Sequence, residues 1–452
     1  MQFRQFYLGC LSHASYYIGS ESEAAVIDPQ RDVQQYLDEA AAHRQKIKFV
    51  IETHSHADFV SGHLELAAKT GAQIVYGQRA NTKFESLKVK DGDTANVGSV
   101  KLTFRETPGH TPEGITIVAE EDGQPPKVFT GDTLFIGDVG RPDLVGSVGF
   151  TSEEMAAMLY ESIHDKILPL PDTAEIYPAH GAGSLCGKSL SKETWSTLGE
   201  QRRLNYALQP MSKEHFVKIV ASEQPEVPQY FPVSAARNLE GSRSLEELPE
   251  PREIPGDEAL NFDGVVLDVR KNDEYGAGHI PNSINIGLGG QFASWAGTLI
   301  PLDTSITIVA NTREQVAEAV MRLARVGHEA VTAYVLADDL DIQKKRVEQV
   351  SVEETSRTTQ GDGLQFIDVR RLGEYQNGHA VGAVNIPLDK LAGRLDEIDP
   401  TLPTYVICQG GYRSSIGCGI LENAGFHELY NVTGGTAAWI EAGLPITEDA
   451  QQ

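Results

Sequence analysis

Thr53-His54-Ser55-His56-Ala57-Asp58 places two imidazoles and a carboxylate at alternating positions just past an apolar run. Such a loop can aim several donors at one point. A neutral imidazole binds a metal through a ring nitrogen, and imidazole combined with carboxylate suits zinc or iron. Three other segments have the same character. Thr107-Pro108-Gly109-His110-Thr111 forms a tight turn after a strand, Thr130-Gly131-Asp132-Thr133 follows another apolar run, and Tyr177-Pro178-Ala179-His180-Gly181 is the last. A lone histidine is usually a surface or core residue, so His180 carries little by itself. The first cluster together with His110 and Asp132 carries the expectation of a bound metal. If His54, His56, His110 and Asp132 all bind, the site is closed and zinc-like. If His54, His110 and Asp132 bind alone, they form a two-histidine, one-carboxylate face with open positions, the arrangement that serves non-haem Fe(II). Spacing does not choose between them.

A second chemistry sits near the C-terminus. Tyr405-Val406-Ile407-Cys408-Gln409-Gly410-Gly411-Tyr412-Arg413-Ser414-Ser415 reads as a strand, a cysteine, a glycine-containing loop and a helix starting near Ser414. Backbone N–H groups curled toward the sulfur, with a helix N-terminus behind, both favour a thiolate. Arg413 adds a positive charge and a fork for an oxyanion. The combination suits a nucleophile that holds an extra sulfur as a persulfide and passes it on. Cys10 and Cys186 receive no role, because a free cysteine is often only a small buried apolar group.

The elements that must hold these residues follow from periodicity. Residues 24–29, 72–77, 99–109, 115–120 and 127–135 read as strands, 47–59 as a strand running into a His-rich loop, and 33–45 and 63–71 as helices, with Gly71 near the end of the second. This mixture predicts sheets with helices packed outside them. Residues 222–257 are rich in Pro and Glu and read as a linker, and 345–362 are polar and unperiodic and read as a second boundary. The segments 265–286 and 365–386 match at a constant offset of 100: Asp268/Asp368, Arg270/Arg370, Glu274/Glu374, Tyr275/Tyr375, His279/His379 and Asn285/Asn385 coincide. That is a duplicated α/β unit of roughly 100 residues. Counting back 17 residues from Gly425 reaches Cys408, and the same count from Gly327 reaches Ala310. A methyl cannot carry sulfur, so the first copy is expected to lack transferase activity, with Gln315 standing where the second copy has Arg413.

The chain has 452 residues, 38 Lys and Arg against 64 Asp and Glu, and a formal charge of −26. Such an excess of carboxylates repels phosphate backbones and anionic membrane surfaces, so neither nucleic acid nor membrane is an expected partner. No apolar run approaches the roughly 18 residues of a membrane span. The first residues do not read as a signal peptide, and four cysteines are too sparse for a disulfide framework, which together predict a cytoplasmic protein.

THSHAD, PGHT, TGD and PAHG, in this order and spacing, resemble the metallo-β-lactamase fold. The resemblance implies an αββα sandwich with the metal at one edge. The family's dinuclear zinc hydrolases read HxHxDH in the first motif, whereas the sixth position here is Phe59. A second metal would meet an apolar ring there, which disfavours two-metal hydrolysis. The run THSHADFVSGH with TPGHTPEG and TGDTLFIGDVGRPDL is similar to the persulfide dioxygenase subgroup. That implies one Fe(II) per chain on His54, His110 and Asp132. His56, Asp58 and His180 would then orient ligands by hydrogen bonds. Thr111 is placed to bond a persulfide sulfur. Arg141 is placed to bind a substrate carboxylate or phosphate, with a salt bridge to Asp138 or Asp143 as its alternative. CQGGYRSS, with FIDVR before it and GFHELYNVTGGTAAW after it, resembles the rhodanese domain, Cys408 matching the sulfur carrier.

The expected architecture is therefore multi-domain α/β: a metallo-β-lactamase αββα sandwich over 1–235, a rhodanese-like domain without the active cysteine over 236–350, and an active rhodanese domain over 351–452. The implied function is oxidation of a glutathione- or coenzyme A-type persulfide by O2 to sulfite and free thiol, with Cys408 and Arg413 moving sulfane sulfur to or from sulfite or thiosulfate. Related fusions imply a homo-oligomer. Two alternatives stand beside it: a glyoxalase II-like zinc thioester hydrolase fused to a sulfurtransferase, and a non-catalytic sulfur carrier or sensor whose metal is structural.

Overall fold

A computed structural model describes residues 1–144, 149–188, 190–222, 224, 226–359, 361 and 363–448. Two compact units divide the chain: Met1–Leu248 with Ala324–Gly327, and Pro249–Leu323 with His328–Gln452.

The first unit holds two six-stranded sheets. In one, the strands run in chain order from Gln2–Leu8 through His13–Ser20, Glu23–Ile27, Lys46–Ile51 and Gln73–Gly77 to Leu87–Val89. In the other, the order is Ser196–Thr197, Glu175–Pro178, Lys127–Gly131, Ile115–Glu120, Val100–Glu106 and Thr94–Val97. Strand alternation sends Tyr16 and Ile18 to the inner face, where they meet Leu102, Phe104, Ile117 and Phe129 of the opposite sheet. Tyr17 and Val26 point the other way, onto Tyr36, Ala40 and Leu66 of the helices Gln34–His43 and His63–Thr70. Behind the second sheet, Val118, Val128 and Ile176 are covered by Ala156, Leu159 and Ile163 of and after the helix Ser152–Ser162. The layers are α, β, β, α, as expected. Gly71 closes its helix in the left-handed region at φ +70°, donating to the carbonyl of Ala67.

The second unit contains two five-stranded parallel sheets of one topology. The first runs Arg252–Glu253, Val331–Leu336, Ile306–Ala310, Val265–Asp268, Ile284–Asn285; the second runs Glu348–Val350, Leu429–Val432, Thr404–Ile407, Gln365–Asp368, Val384–Asn385. The register repeats as well: Asp268 pairs with Asn285 and Asp368 with Asn385. The duplicated sequence is a duplicated fold.

Two expected connections are structured. Residues 348–350 form the edge strand of the second sheet and Val352–Thr358 a helix capped by Ser351, so 345–362 opens the second copy. The polar residues there are the exposed faces of short elements. Phe231–Glu240 is a helix inside the Pro- and Glu-rich stretch, and it spans the boundary expected at 235/236. Its buried Asn238 ties it to the first unit (see below). Glu223, Pro225, Gln360 and Asp362, within these two stretches, lie outside the described residues.

Candidate metal centre and thiol loop

Four strand ends meet at one edge of the sandwich. Lys46–Ile51 delivers residues 53–58, Val100–Glu106 delivers 107–111, Lys127–Gly131 delivers Asp132, and Glu175–Pro178 delivers His180. Gly131 adopts φ +52°, and a Cβ there would lie 2.6 Å from Thr53 Oγ1, so glycine lets the first and third ends approach.

His54, His110 and Asp132 are buried and bring one ligand atom each within 4.8 Å of the others. Nε2 of His54 and Nε2 of His110 lie 3.6 Å and 3.3 Å from Oδ2 of Asp132. The atoms facing away from this point are tied. Nδ1 of His110 lies 2.9 Å from the carbonyl oxygen of Arg141, which only accepts; Nδ1 carries the proton and Nε2 keeps a lone pair. Nδ1 of His54 donates to Thr53 Oγ1 at 2.9 Å, and that hydroxyl donates to Asp28 Oδ2 at 2.8 Å. Oδ1 of Asp132 meets Nδ1 of His180 at 2.8 Å, and Nε2 of His180 meets Asp58 Oδ2 at 2.8 Å. Burial holds the His54 and His110 rings below the usual imidazole range, so both are neutral. Burial opposes ionisation of Asp132, but His180, His54 and His110 outweigh it and hold its carboxyl well below the usual range. Two neutral imidazoles and a carboxylate with converging donor atoms and tied outer atoms fit a divalent metal.

The three donors line a cleft together with Thr107, Thr111 and Thr133. The Thr111 hydroxyl is buried and has no hydrogen-bond partner among the described residues. His56 is not part of the converging set: its Nε2 turns to Asp28 at 3.2 Å and Glu52 at 3.5 Å. With Asp58 and His180 it forms a neighbouring buried group. Phe59 lies against it, ring centroids 4.6 Å apart.

Cys408 follows the strand Thr404–Ile407 and is 1% exposed. The N–H of Gly411 donates to its sulfur at 3.1 Å, and the Ser414 hydroxyl lies 3.4 Å away. Gly411, at φ +95°, is the N-cap of the helix Tyr412–Asn423. The carbonyl of Cys408 accepts from the N–H of Thr436 at 2.8 Å. Nearby, Asp368 grips Arg370 through both carboxylate oxygens. Arg413 is held by Glu374 in a bidentate pair at 2.6 Å and 2.7 Å. In the first copy, Gln315 Oε1 accepts from the N–H of Asn311 at 2.9 Å, and the Asn311 amide donates to Glu274 at 2.8 Å. There the loop's own N–H is consumed by its own side chain.

A family model for the metallo-beta-lactamase superfamily matches residues 8–180, and one for the rhodanese-like domain matches 255–338 and 351–442. The chain is 33% identical over 225 residues to persulfide dioxygenase ETHE1, mitochondrial, of Homo sapiens, covering 48% of this chain and 78% of that protein. The chain belongs to the ETHE1 family, with two rhodanese-like domains following. It is also 33% identical over 181 residues to the cytoplasmic hydroxyacylglutathione hydrolase of Arabidopsis thaliana, covering 39% of this chain and 66% of that protein. Among solved structures, a metallo-beta-lactamase from Staphylococcus aureus subsp. aureus COL superposes with a TM-score of 0.68 at 34% identity, covering 74% of this chain and 99% of that one.

Within this family frame, one expected site residue needs correction. Arg141 is fully buried and forms a bidentate pair with Asp143 at 2.7 Å while donating to the carbonyl of Leu185 at 3.0 Å. Its guanidinium is committed to the protein, as in the salt-bridge alternative, and its carbonyl orients His110. Two residues at the metal centre were not singled out from sequence. His13, on the strand His13–Ser20, is buried with its ring 4.2 Å from Phe59 and 5.4 Å from His180. Asn238 donates to the carbonyls of His56 and Phe59, both at 2.8 Å, and accepts from the N–H of Ser61 at 2.8 Å. Only a strand-pairing assignment for His13, or the helical spacing of the buried Phe231, Ser234 and Asn238, would have pointed to either. Among the described residues, no helix is long and apolar enough to cross a membrane.

Proposed function

We propose that the first unit oxidises a low-molecular-weight thiol persulfide, and that Cys408 moves sulfane sulfur to or from sulfite or thiosulfate. The overall change is RSSH + O2 + H2O giving RSH, sulfite and two protons. The outer sulfur loses four electrons, which O2 takes up, and the S–S bond breaks with the thiol leaving. One observation carries the proposal: Nε2 of His54, Nε2 of His110 and Oδ2 of Asp132 converge on a cleft while their outer atoms are tied to the protein. The identity to ETHE1 over the same half of the chain supports it.

His54, His110 and Asp132 would hold Fe(II). When bound, that ion supplies electrons to O2 and open positions beside the three protein donors. The protein does the rest. Asp28, through Thr53, and the Arg141 carbonyl fix the two imidazole rings. His180 and Asp58 hold the Asp132 carboxylate in place. Thr111 offers its unpartnered hydroxyl to the persulfide at the cleft wall. At the second site, Cys408 attacks the outer sulfur of thiosulfate. The new S–S bond forms as the old one breaks, and sulfite leaves with the electron pair. Run in reverse, the same step makes thiosulfate from sulfite.

The test is O2 uptake by anaerobically iron-loaded protein given glutathione persulfide. Uptake with sulfite or thiosulfate as product is expected; an iron-loaded protein that leaves O2 untouched overturns the proposal. The identity to hydroxyacylglutathione hydrolase favours one second reading, a zinc thioester hydrolase. It requires hydrolysis of an acylglutathione by the zinc-loaded protein and no O2 uptake.

A further inference from the structure

The helix Tyr412–Asn423 that begins at the thiol loop lays one face on the first rhodanese-like copy. The Tyr412 hydroxyl donates to the Gly287 carbonyl at 2.8 Å, and the Ser415 hydroxyl lies 2.8 Å from Asn285 Oδ1. A Cβ on Gly419 would sit 3.2 Å from the Ser283 carbonyl oxygen, and Glu422 meets Nε2 of His279 and the N–H of Asn282, both at 3.2 Å. Positions 412, 415, 419 and 422 fall on one stripe of a helix. The contacts reach the residue that faces the sulfur. Gly411, whose N–H points at Cys408 Sγ, has its carbonyl held at 3.4 Å by the Asn272 amide of the first copy and at 3.3 Å by Asn431 of the second. Gly290 leaves no room for more: a Cβ there would lie 2.5 Å from the Tyr412 ring.

We infer that the first copy is the positioning half of the sulfur-transfer site, its Gly287–Gly290 loop seating Tyr412 and its Asn272 holding the carbonyl of Gly411, the residue whose N–H faces Cys408. This rests on the proposal that Cys408 transfers sulfur. Ala310 and the self-satisfied Asn311 loop remove chemistry from the first copy, but its sheet edge still frames the working loop of the second. A helix N-terminus presents its N–H groups usefully only when its axis is fixed, and an isolated second copy would leave that docked stripe exposed to water. Tyr412, Asn272 and Gly290 are positioning residues, since they act on sulfur through the placement of Gly411 and the helix start that follows it.

The test uses the full chain, with thiosulfate as donor and cyanide as acceptor, reading thiocyanate. Gly290→Ala should displace the Tyr412 ring and lower kcat roughly 10- to 100-fold, the cost of about 1 Å of misplacement, with KM for thiosulfate little changed. Asn272→Ala should lower kcat in the same way, and Tyr412→Phe should keep more activity than Tyr412→Ala because the ring still fills its seat. In the Tyr412→Ala background, adding Gly290→Ala should cost little further, because both act through one contact. Full kcat in both Gly290→Ala and Asn272→Ala, or an undiminished Gly290→Ala effect without the tyrosine ring, overturns the inference. If Gly290→Ala does not fold, as judged by circular dichroism, Asn272→Ala decides alone. A wild-type chain that makes no thiocyanate overturns the sulfurtransferase reading and this inference together, which separates that failure from a failure of the positioning role alone.

Discussion

Nδ1 of His180 straddles the Asp132 carboxylate, 2.8 Å from Oδ1 and 3.0 Å from the Oδ2 that faces His54 and His110. With its other nitrogen on Asp58, the histidine braces a ligand rather than joining the converging set. Removing such a support usually costs 10- to 100-fold in metal affinity, so His180→Ala should release iron to a chelator at roughly that lower concentration. Chelator competition under anaerobic conditions reads this directly. Unchanged iron retention would mean that Asp132 is held without it.

Asn238 makes three hydrogen bonds to the 56–61 loop, and all of its side chain is buried. Asn238→Ala leaves two carbonyls and one N–H without partners in the interior. The expected loss is about 1–3 kcal/mol of stability, read by chemical denaturation, with weaker persulfide-dependent O2 uptake alongside. Wild-type stability in the variant would show that the loop holds its own shape.

Cys408→Ser should abolish thiocyanate formation and leave O2 uptake intact, because the His54–His110–Asp132 set does not include Cys408. The converse also holds. Stripping the metal should stop O2 uptake and spare thiosulfate-dependent transfer. A single treatment that silences both activities would contradict this independence.

Ala310→Cys placed in the Cys408→Ser background should not restore transfer. The N–H that faces Cys408 is that of Gly411, at φ +95°, and the first copy has Arg313 there, while Gln315 stands in place of Arg413 and turns back to the N–H of Asn311, so a sulfur there lacks both the glycine turn and the guanidinium. Restoration of thiocyanate formation by that one substitution would refute the collapsed-loop account.

Burial alone pushes the Glu374 carboxyl up, but the Arg413 pair outweighs it and leaves it below the usual carboxylate range. A depressed folded value stabilises above the ordinary range, about pH 4, and that contribution is lost as pH falls through the folded value. Acidification from about pH 5 toward 3 should therefore lower the melting temperature of the wild type more steeply than that of Glu374→Gln. Parallel melting curves across that window would show that the pair is too solvated to matter.

Much of this was legible before any coordinates. Alternating His and Asp residues at strand ends mark their own chemistry, and the constant offset between Asp268 and Asp368 marks a repeat whose topology then recurs strand for strand. Arg141 was not legible, because a guanidinium two residues from an aspartate reads the same whether it faces substrate or closes on Asp143. Asn238 was hidden because its ten-residue helix lies inside a Pro- and Glu-rich stretch that reads as a linker. His13 and Asn272 were invisible for a different reason. Their partners are far along the chain, and a lone polar residue carries no spacing to reveal them.

The enclosure of Cys408, with 1% of its surface accessible, leaves little of its sulfur within reach of a bulky reagent while the chain is folded.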